Sequence, residues 1–234
     1  MTPTDPDTTT TESPAITAND TELGSIVHSN TQMDYVAQVF REEDREVSPD
    51  KEDYAFGCPV YAMQTVGNST YAFIGVIYDA RLVDPDQGRS GPRLSAPEQE
   101  MFVPGYVNEK QTLLGIALLG TAQVDADVHE SSSTGGTFQA FQSVSQDMPR
   151  WTLDVDDFVY KLSEEGFRQF HVNDGQLRLE YYERLLSTAG QFGPEVVLTI
   201  VDRLREVTTA DPGVLEILER NIRWQSGEDR GVVR

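Results

Sequence analysis

Residues able to do acid–base, metal or nucleophilic chemistry are few and widely spaced in this sequence. The three histidines (His28, His129, His171) and the single cysteine (Cys58) form none of the C-x-x-C, H-E-x-x-H or H-x-x-E-H spacings that bring zinc ligands together. A lone cysteine cannot form an internal disulfide, and Cys58 lies in an apolar run, where a thiol behaves as a small hydrophobic group. We therefore expect no zinc centre, no cysteine nucleophile and no bound cofactor.

Carboxylates are the second set of candidates. Residues 84–88 (DPDQG) and 154–157 (DVDD) place acids close together, and carboxylate oxygens are ligands for divalent cations. The enzyme hypothesis is a metal-dependent nuclease, with carboxylates from Asp154, Asp156, Glu164 and Glu165. The competing interpretation is chance, because the chain has 39 Asp and Glu residues and acids at 154–157 also suit the start of a helix. Without ligand-spaced histidines or cysteines beside them, we expect no metal and no enzymatic activity.

Negative charge dominates the composition. The 39 Asp and Glu residues oppose 18 Lys and Arg residues, giving a formal net charge of -21 and an isoelectric point of about 4.3. Only three of the cations are lysines, a balance typical of proteins that work in molar salt, where a Debye length of about 3 Å screens most repulsion. We expect a halophilic source and salt-dependent stability. The acidity also argues against DNA binding, which normally uses a basic face.

The two ends of the chain carry little apolar content. Residues 1–21 are rich in Thr, Pro and Asp and are predicted to be a disordered tail, and residues 227–234 a flexible C-terminus. The N-terminal residues lack the basic and then apolar regions of a signal peptide. No stretch reaches the roughly 18 apolar residues of a spanning helix. A cytoplasmic location is expected.

Short apolar runs of period two predict a β-rich domain over residues 22–145. Alternation or apolar content predicts five strands, at 23–28, 33–40, 56–66, 70–83 and 113–124, and a further strand is predicted at 138–144. Gly67-Asn68 between two of them is a hairpin signal. Several short strands with no helix between them favour a small antiparallel barrel.

The apolar period changes to 3.6 near Trp151, which predicts a helical domain over residues 151–226. The first predicted helix carries Val155, Phe158, Val159 and Leu162 at i, i+3, i+4 and i+7. Further helices are predicted at 177–189, from Pro194 and from Pro212. The last carries Leu215, Leu218, Ile222 and Trp224. The fold class is therefore α+β, a small antiparallel N-terminal barrel followed by a short helical domain.

One segment carries a family resemblance. The strands LGSIV (23–27), VAQV (36–39) and IGVIY (74–78), the last leading into Asp79, resemble the HAS barrel shared by HerA-type DNA-translocating ATPases and ATP synthase subunits. In the HerA family this barrel precedes a P-loop ATPase, crowns a hexameric ring and contacts the nuclease NurA in DNA-end processing. The resemblance covers residues 23–125 and no ATPase part. It implies a non-catalytic accessory protein that docks on a HerA-like ring or a NurA-type nuclease.

The long loop 84–110 supplies the predicted partner interface. It is rich in Pro and Gly yet contains an apolar cluster, and long loops of this kind are usually functional or disordered. The residues expected to contact a partner or a sister subunit are Phe102, Val103 and Tyr106. The alternative is that the cluster folds back onto the C-terminal helices and covers Val197, Ile200 and Leu204.

Two further functions stay open. An OB-like barrel would stack single-stranded bases on Tyr35, Phe40, Tyr61, Tyr71 and Phe73, although the same aromatics fit a strand core. Its cationic contacts would be Arg81, Arg89 and Arg93. The other alternative is a general protein-interaction barrel with an unassigned partner.

Overall fold

Six antiparallel strands of this chain close into a barrel. The computed structural model describes residues 14–17, 19–41, 44–45, 47–83, 111–124 and 141–226. The strands are β1 (Glu22–Thr31), β2 (Asp34–Val39), β3 (Pro59–Val66), β4 (Ser69–Val83), β5 (Gln111–Val124), β6 (Ser143–Ser145), β7 (Phe158–Lys161), β8 (Val172–Asn173) and β9 (Gln176–Leu177). The helices are α1 (Glu164–His171), α2 (Tyr182–Thr188), α3 (Gly193–Val207) and α4 (Pro212–Ser226).

Hydrogen bonding closes the barrel in the order β1-β7-β3-β4-β5-β2, with β2 pairing back to β1. The short strand β6 extends the sheet by pairing with the C-terminal part of β5, from Thr121 to Gln123. Strands β1 and β2 approach so closely at Gly24 that a Cβ there would overlap the carbonyl oxygen of Gln38. The predicted α+β class, a small antiparallel barrel followed by helices, is confirmed.

The central hairpin β3–β4 matches its sequence signal. The strands pair without a break from Val66 with Ser69 to Pro59 with Val76, and the turn contains Gly67 at φ +65°. This left-handed conformation favours glycine, which explains the Gly-Asn turn. The hairpin was expected at 56–66 and 70–83, and the structure confirms it. The last predicted strand, 138–144, is present only as β6, and residues 138–140 lie outside the described residues.

The first predicted helix is wrong. Residues 158–161 form strand β7, which lies between β1 and β3 and completes the barrel, so the barrel does not end at residue 145. Val159 pairs with Gly24 on one side and Ala62 on the other, and it is buried. Strand β7 contains Phe, Val and Tyr, which favour strands, and its backbone groups bond to both β1 and β3. These contacts outweigh the helical signal, which consisted of only four apolar residues at helical spacing.

The helices pack on the outer face of the barrel rather than forming a separate core. Alternate residues of β4 and β5 face the barrel interior, and those between them face the helices. Strand β5 is therefore buried on both faces over most of its length, as its apolar sequence predicts. The shared core under the helices includes Ile74, Val76, Leu119, Val197, Ile200 and Leu204. Among the described residues, no helix is long and apolar enough to cross a membrane.

The predicted N-terminal tail is ordered in its last part. Ala15 is inaccessible to solvent, and Ile16 is buried with the helical core. The carbonyl oxygen of Ala15 accepts a hydrogen bond from the Ser163 hydroxyl at 2.8 Å, and Gly166 leaves room for it. The expectation of disorder up to residue 21 is thus wrong for the described residues after 13. Ala15 and Ile16 are ordered because they pack at the start of α1 and in the helical core, which composition alone does not reveal.

A buried amide joins the barrel to the helices. The side chain of Gln146 donates to the carbonyl oxygens of Phe170 and Arg178, at 3.2 and 3.0 Å, and accepts from the Glu180 N–H at 2.8 Å. Arg184 donates to the carbonyl oxygens of Gln146 and Leu119, at 2.6 and 3.2 Å. These bonds cross the region where the sequence predicts a boundary between two domains.

Candidate interaction surface

The interior of the barrel is a filled apolar core. Tyr35, Phe73 and Leu114 are among its largest side chains, and each is at most 1 % exposed. The Tyr35 hydroxyl accepts a hydrogen bond from the Leu153 N–H at 3.1 Å, and burial raises the pKa of that phenol. Cys58 is buried in the same core, which raises the pKa of its thiol. These side chains stabilise the barrel and are not presented to a ligand.

The aromatic residues proposed to stack bases do not form an open platform. Tyr35, Tyr61 and Phe73 are buried. The Tyr61 ring stacks on Tyr160 at 5.2 Å, and burial raises the pKa of its hydroxyl. The remaining two are half-buried, with Phe40 against Phe158 at 5.8 Å and Tyr71 against Trp151 at 5.2 Å.

The carboxylates of the nuclease hypothesis do not come together as a metal site. Asp154 accepts a hydrogen bond from the Gln64 amide at 3.0 Å, and Asp157 accepts from the Asp154 N–H at 2.7 Å. Glu165 is held by Arg168, which lowers the pKa of the Glu165 carboxyl. Among the described residues, no group of three or more His, Cys, Asp or Glu side chains is placed to hold an ion. Residues 84–88 lie outside that part of the chain.

The buried histidine has a structural role. Both ring nitrogens of His171 are satisfied, with Nδ1 2.7 Å from the Phe167 carbonyl oxygen and Nε2 2.6 Å from the Tyr181 hydroxyl. A carbonyl oxygen only accepts, so Nδ1 carries the proton and Nε2 accepts from Tyr181. Complete burial lowers the pKa of His171 to about 4. His28 is exposed on β1, and His129 lies outside the described residues.

Strand β4 extends past the end of its other neighbour and stays paired with β5, from Asp79 with Gly115 to Val83 with Gln111. Strand β5 is also paired with β2 as far as Leu113, so the two strands form a two-stranded ribbon only at Leu82 and Val83, opposite Thr112 and Gln111. The other neighbour of β4 ends early, because β3 pairs with it only as far as Val76. Within the described residues, the edge of β4 that faces away from β5 therefore has no strand beside it from Asp79 to Val83. We name this segment, 79–83, the ribbon edge.

The ribbon edge presents apolar side chains, and no described strand pairs with the backbone groups on its outer side. Leu82 is 82 % exposed and Val83 is 40 % exposed. An exposed strand edge with hydrophobic residues is a template for pairing with another chain. Arg81, proposed as a nucleic-acid contact, is 2.6 Å from the Asp79 carboxylate, and this hydrogen bond raises the pKa of the guanidinium. Its charge is thus already paired with an acid.

The base of the ribbon is fixed by a polar cluster around the buried Asp34. The Tyr78 hydroxyl donates to one carboxylate oxygen of Asp34 at 2.8 Å, and the Asn30 amide donates to the other at 2.9 Å. Burial and this bond to a carboxylate raise the pKa of Tyr78. The cluster ties β4 to β2 and the end of β1, so the ribbon leaves the barrel in a defined direction.

The sequence-predicted site residues divide into two groups. Arg81 is described and lies on the ribbon edge. The others, Arg89, Arg93, Phe102, Val103 and Tyr106, lie outside the described residues, in the segment that connects the two ribbon strands. Sequence reasoning missed Leu82 and Val83, because it assigned them to a barrel strand. The available signal was the two charged residues before them, Asp79 and Arg81, which interrupt the apolar pattern of β4.

Comparison with known families gives a match that spans nearly the whole chain. A family model described as a domain of unknown function, DUF8166, matches residues 7–233. A search of curated proteins gives no match.

Proposed function

The chain belongs to the DUF8166 family over nearly its whole length, and we propose that it is a non-catalytic assembly protein that docks on a partner through the ribbon edge. The observation that carries this proposal is the edge at 79–83, which pairs with no second strand among the described residues and presents the exposed Leu82 and Val83. An extended segment of a partner can add there as a further strand. In this mode, main-chain hydrogen bonds supply affinity, and alternate side chains supply specificity.

Two features of the molecule support this mode over the alternatives. Asp34 and Tyr78 hold the ribbon base, which reduces the ordering cost of binding. The stripe of Val197, Ile200 and Leu204 is buried in one core with residues of the barrel and α4. That stripe belongs to the folded core, and we propose Phe102, Val103 and Tyr106 as further contacts with the partner.

The resemblance to the HAS barrel implies which kind of partner to propose. We propose a HerA-like hexameric DNA-translocating ATPase, or its NurA-type nuclease, acting in DNA-end processing in the cytoplasm of a salt-adapted cell. The closed six-stranded barrel is compatible with that resemblance. The buried aromatics and the paired Arg81 favour protein docking over direct binding of single-stranded nucleic acid.

The experiment is capture of the HerA-like ATPase and of the NurA-type nuclease from the source organism by the purified protein in molar salt. The double variant Leu82→Lys and Val83→Lys places charges on the edge, where they oppose strand addition. We expect it to weaken capture by about tenfold or more, equivalent to about 1.4 kcal/mol.

The matched control is Val47→Lys, because Val47 is 80 % exposed but does not lie on a strand. The control should capture the partner as the wild type does. Equal capture by the ribbon variant and the wild type would exclude the ribbon edge as the docking surface. Failure of the wild type to capture either protein would exclude the proposed partners.

A further inference from the structure

Helix α4 has two apolar faces. One face, formed by Leu215, Leu218 and Ile222, is buried against the shared core. The other carries Val214, Ile217 and Trp224, which are 46, 58 and 64 % exposed. Trp224 was predicted to lie on the same stripe as the buried residues, and this prediction is wrong because Trp224 lies on the opposite side of the helix. A surface helix that serves only its own core has one such stripe.

The exposed residues follow the spacing of a coiled-coil seam. Positions 214, 217, 221 and 224 correspond to a, d, a and d of two successive heptads. Asn221 at the third position is exposed, and a single polar residue at such a position commonly sets the register between helices. We call Val214, Ile217, Asn221 and Trp224 the α4 seam.

An apolar groove lies directly beside the seam. It is lined by Val214, Ile217 and Asn221 from α4, and by residues of the segment before α2, among them Leu177 and Leu179. The same face therefore offers both an apolar ridge and an apolar groove. Such a face is complementary to itself when a second copy is related by a two-fold axis.

The charges on α4 favour a second copy of this chain as the partner that covers the seam. The chain carries a net charge of -21, yet α4 contains two acids, Glu216 and Glu219, and two cations, Arg220 and Arg223, so its side-chain charges cancel. This helix is one region where two copies approach without strong repulsion. Both acids precede both arginines, so an antiparallel arrangement brings Glu216 of each copy near the arginines of the other. It also sets the helix dipoles in favourable opposition.

We propose that the α4 seam is the interface of a homodimer in which the α4 helices of two copies lie antiparallel. Val214 of one copy then faces Trp224 of the other, and Ile217 faces Asn221. The proposal does not depend on the proposed function, because the ribbon edge is a different surface with a different occupant. The dimer presents two ribbon edges.

The oligomeric state of the full chain in molar salt tests the proposal. Light scattering at tens of micromolar should give twice the chain mass of 26.1 kDa. The double variant Ile217→Glu and Trp224→Glu should be monomeric with an unchanged melting temperature, because both side chains are exposed. Val155→Glu, at a residue that is also 64 % exposed, is the control and should remain dimeric. A monomeric wild type, or a dimeric seam variant, would overturn the proposal.

A mixing experiment tests whether charge acts between the two copies. Arg220→Glu and Glu216→Arg each create like charges across an antiparallel pair, so each variant alone should dimerise about tenfold more weakly at the lowest salt that keeps it folded. An equimolar mixture should restore the dimer, because every cross-pair is then of opposite charge. An effect confined to one helix would leave the mixture as weak as the separate variants, and that result would contradict the proposed pairing.

Discussion

Strand β4 contains two regions, 72–78 and 79–83, that both pair with β5 but differ in what else surrounds them. From Ala72 to Tyr78 it is buried on both faces, with the barrel interior on one side and the helices on the other. From Asp79 to Val83, β5 is its one neighbouring strand in the part of the chain that the structure describes, and most of its residues are exposed. Leu82 and Val83 are as apolar as Ile74 and Val76. The elements that pack on a strand, rather than its composition, therefore decide whether its apolar residues stabilise the fold or are available for recognition.

This contrast leads to different expectations for substitutions in the two regions. Changes in the barrel and its junction with the helices should lower the free energy of unfolding. Changes on the ribbon edge should leave that free energy nearly constant and alter partner binding instead.

The largest effect is expected for Phe73→Ala inside the barrel. Phe73 is 1 % exposed, and its truncation leaves a cavity in the core. The free energy of unfolding should fall by about 3–5 kcal/mol. Denaturant unfolding in molar salt measures this change, with Leu82→Ala on the ribbon as the comparison. Similar losses for the two variants would erase the distinction between the regions.

A pH effect is expected from His171. Its pKa in the folded protein is about 4, below the ordinary value of 6.5, because the buried imidazole is held neutral. The unfolded chain therefore binds a proton between these values, which lowers stability as the pH falls from about 6.5 to about 4, by about 3 kcal/mol in all. Below pH 4 no further loss arises from this residue.

The measurement is the free energy of unfolding of the wild type and of His171→Gln against pH. The wild type should lose stability relative to the variant across that window. His28→Gln, at an exposed histidine, serves as the control. Parallel curves for the wild type and His171→Gln would show that the buried imidazole is not the responsible group.

A smaller effect is expected at the junction between barrel and helices. Gln146→Met preserves the approximate shape of the side chain but leaves two carbonyl oxygens and one N–H without their partner. The expected loss is about 1–3 kcal/mol. Gln142→Met, at an exposed glutamine, should change stability by less than about 0.5 kcal/mol. Equal melting of the two variants would mean that solvent replaces the buried bonds.

The smallest change in stability is expected on the ribbon edge. Leu82→Lys with Val83→Lys should alter the free energy of unfolding by no more than about 0.5 kcal/mol, since Leu82 is largely exposed and Val83 partly so. Thermal melting in molar salt measures it. A loss as large as that of Gln146→Met would place these residues in the folded core instead.

Local sequence signals predicted those elements whose pattern is long or whose turn is distinctive. Examples are the hairpin around Gly67-Asn68 and helix α3, which has Pro194 in its first turn. Strand β7 was missed because four residues give too short a period, and only their two neighbouring strands determine their conformation. The buried Ala15 and the exposed Trp224 depend in the same way on contacts distant in sequence. At the ribbon edge, Asp79 and Arg81 interrupt the apolar pattern of β4, but the sequence does not reveal where β3 stops pairing with β4, because this is a property of the closed barrel.

Amide hydrogen exchange of the free and partner-bound protein tests the docking surface most directly. In the free protein, amides at 79–83 should exchange faster than those at 72–78, which lie between two paired strands and under the helices. Addition of the captured ATPase or nuclease should slow exchange at 79–83 and leave 72–78 unchanged. A complex that forms with exchange at 79–83 unaltered would contradict docking through the ribbon edge.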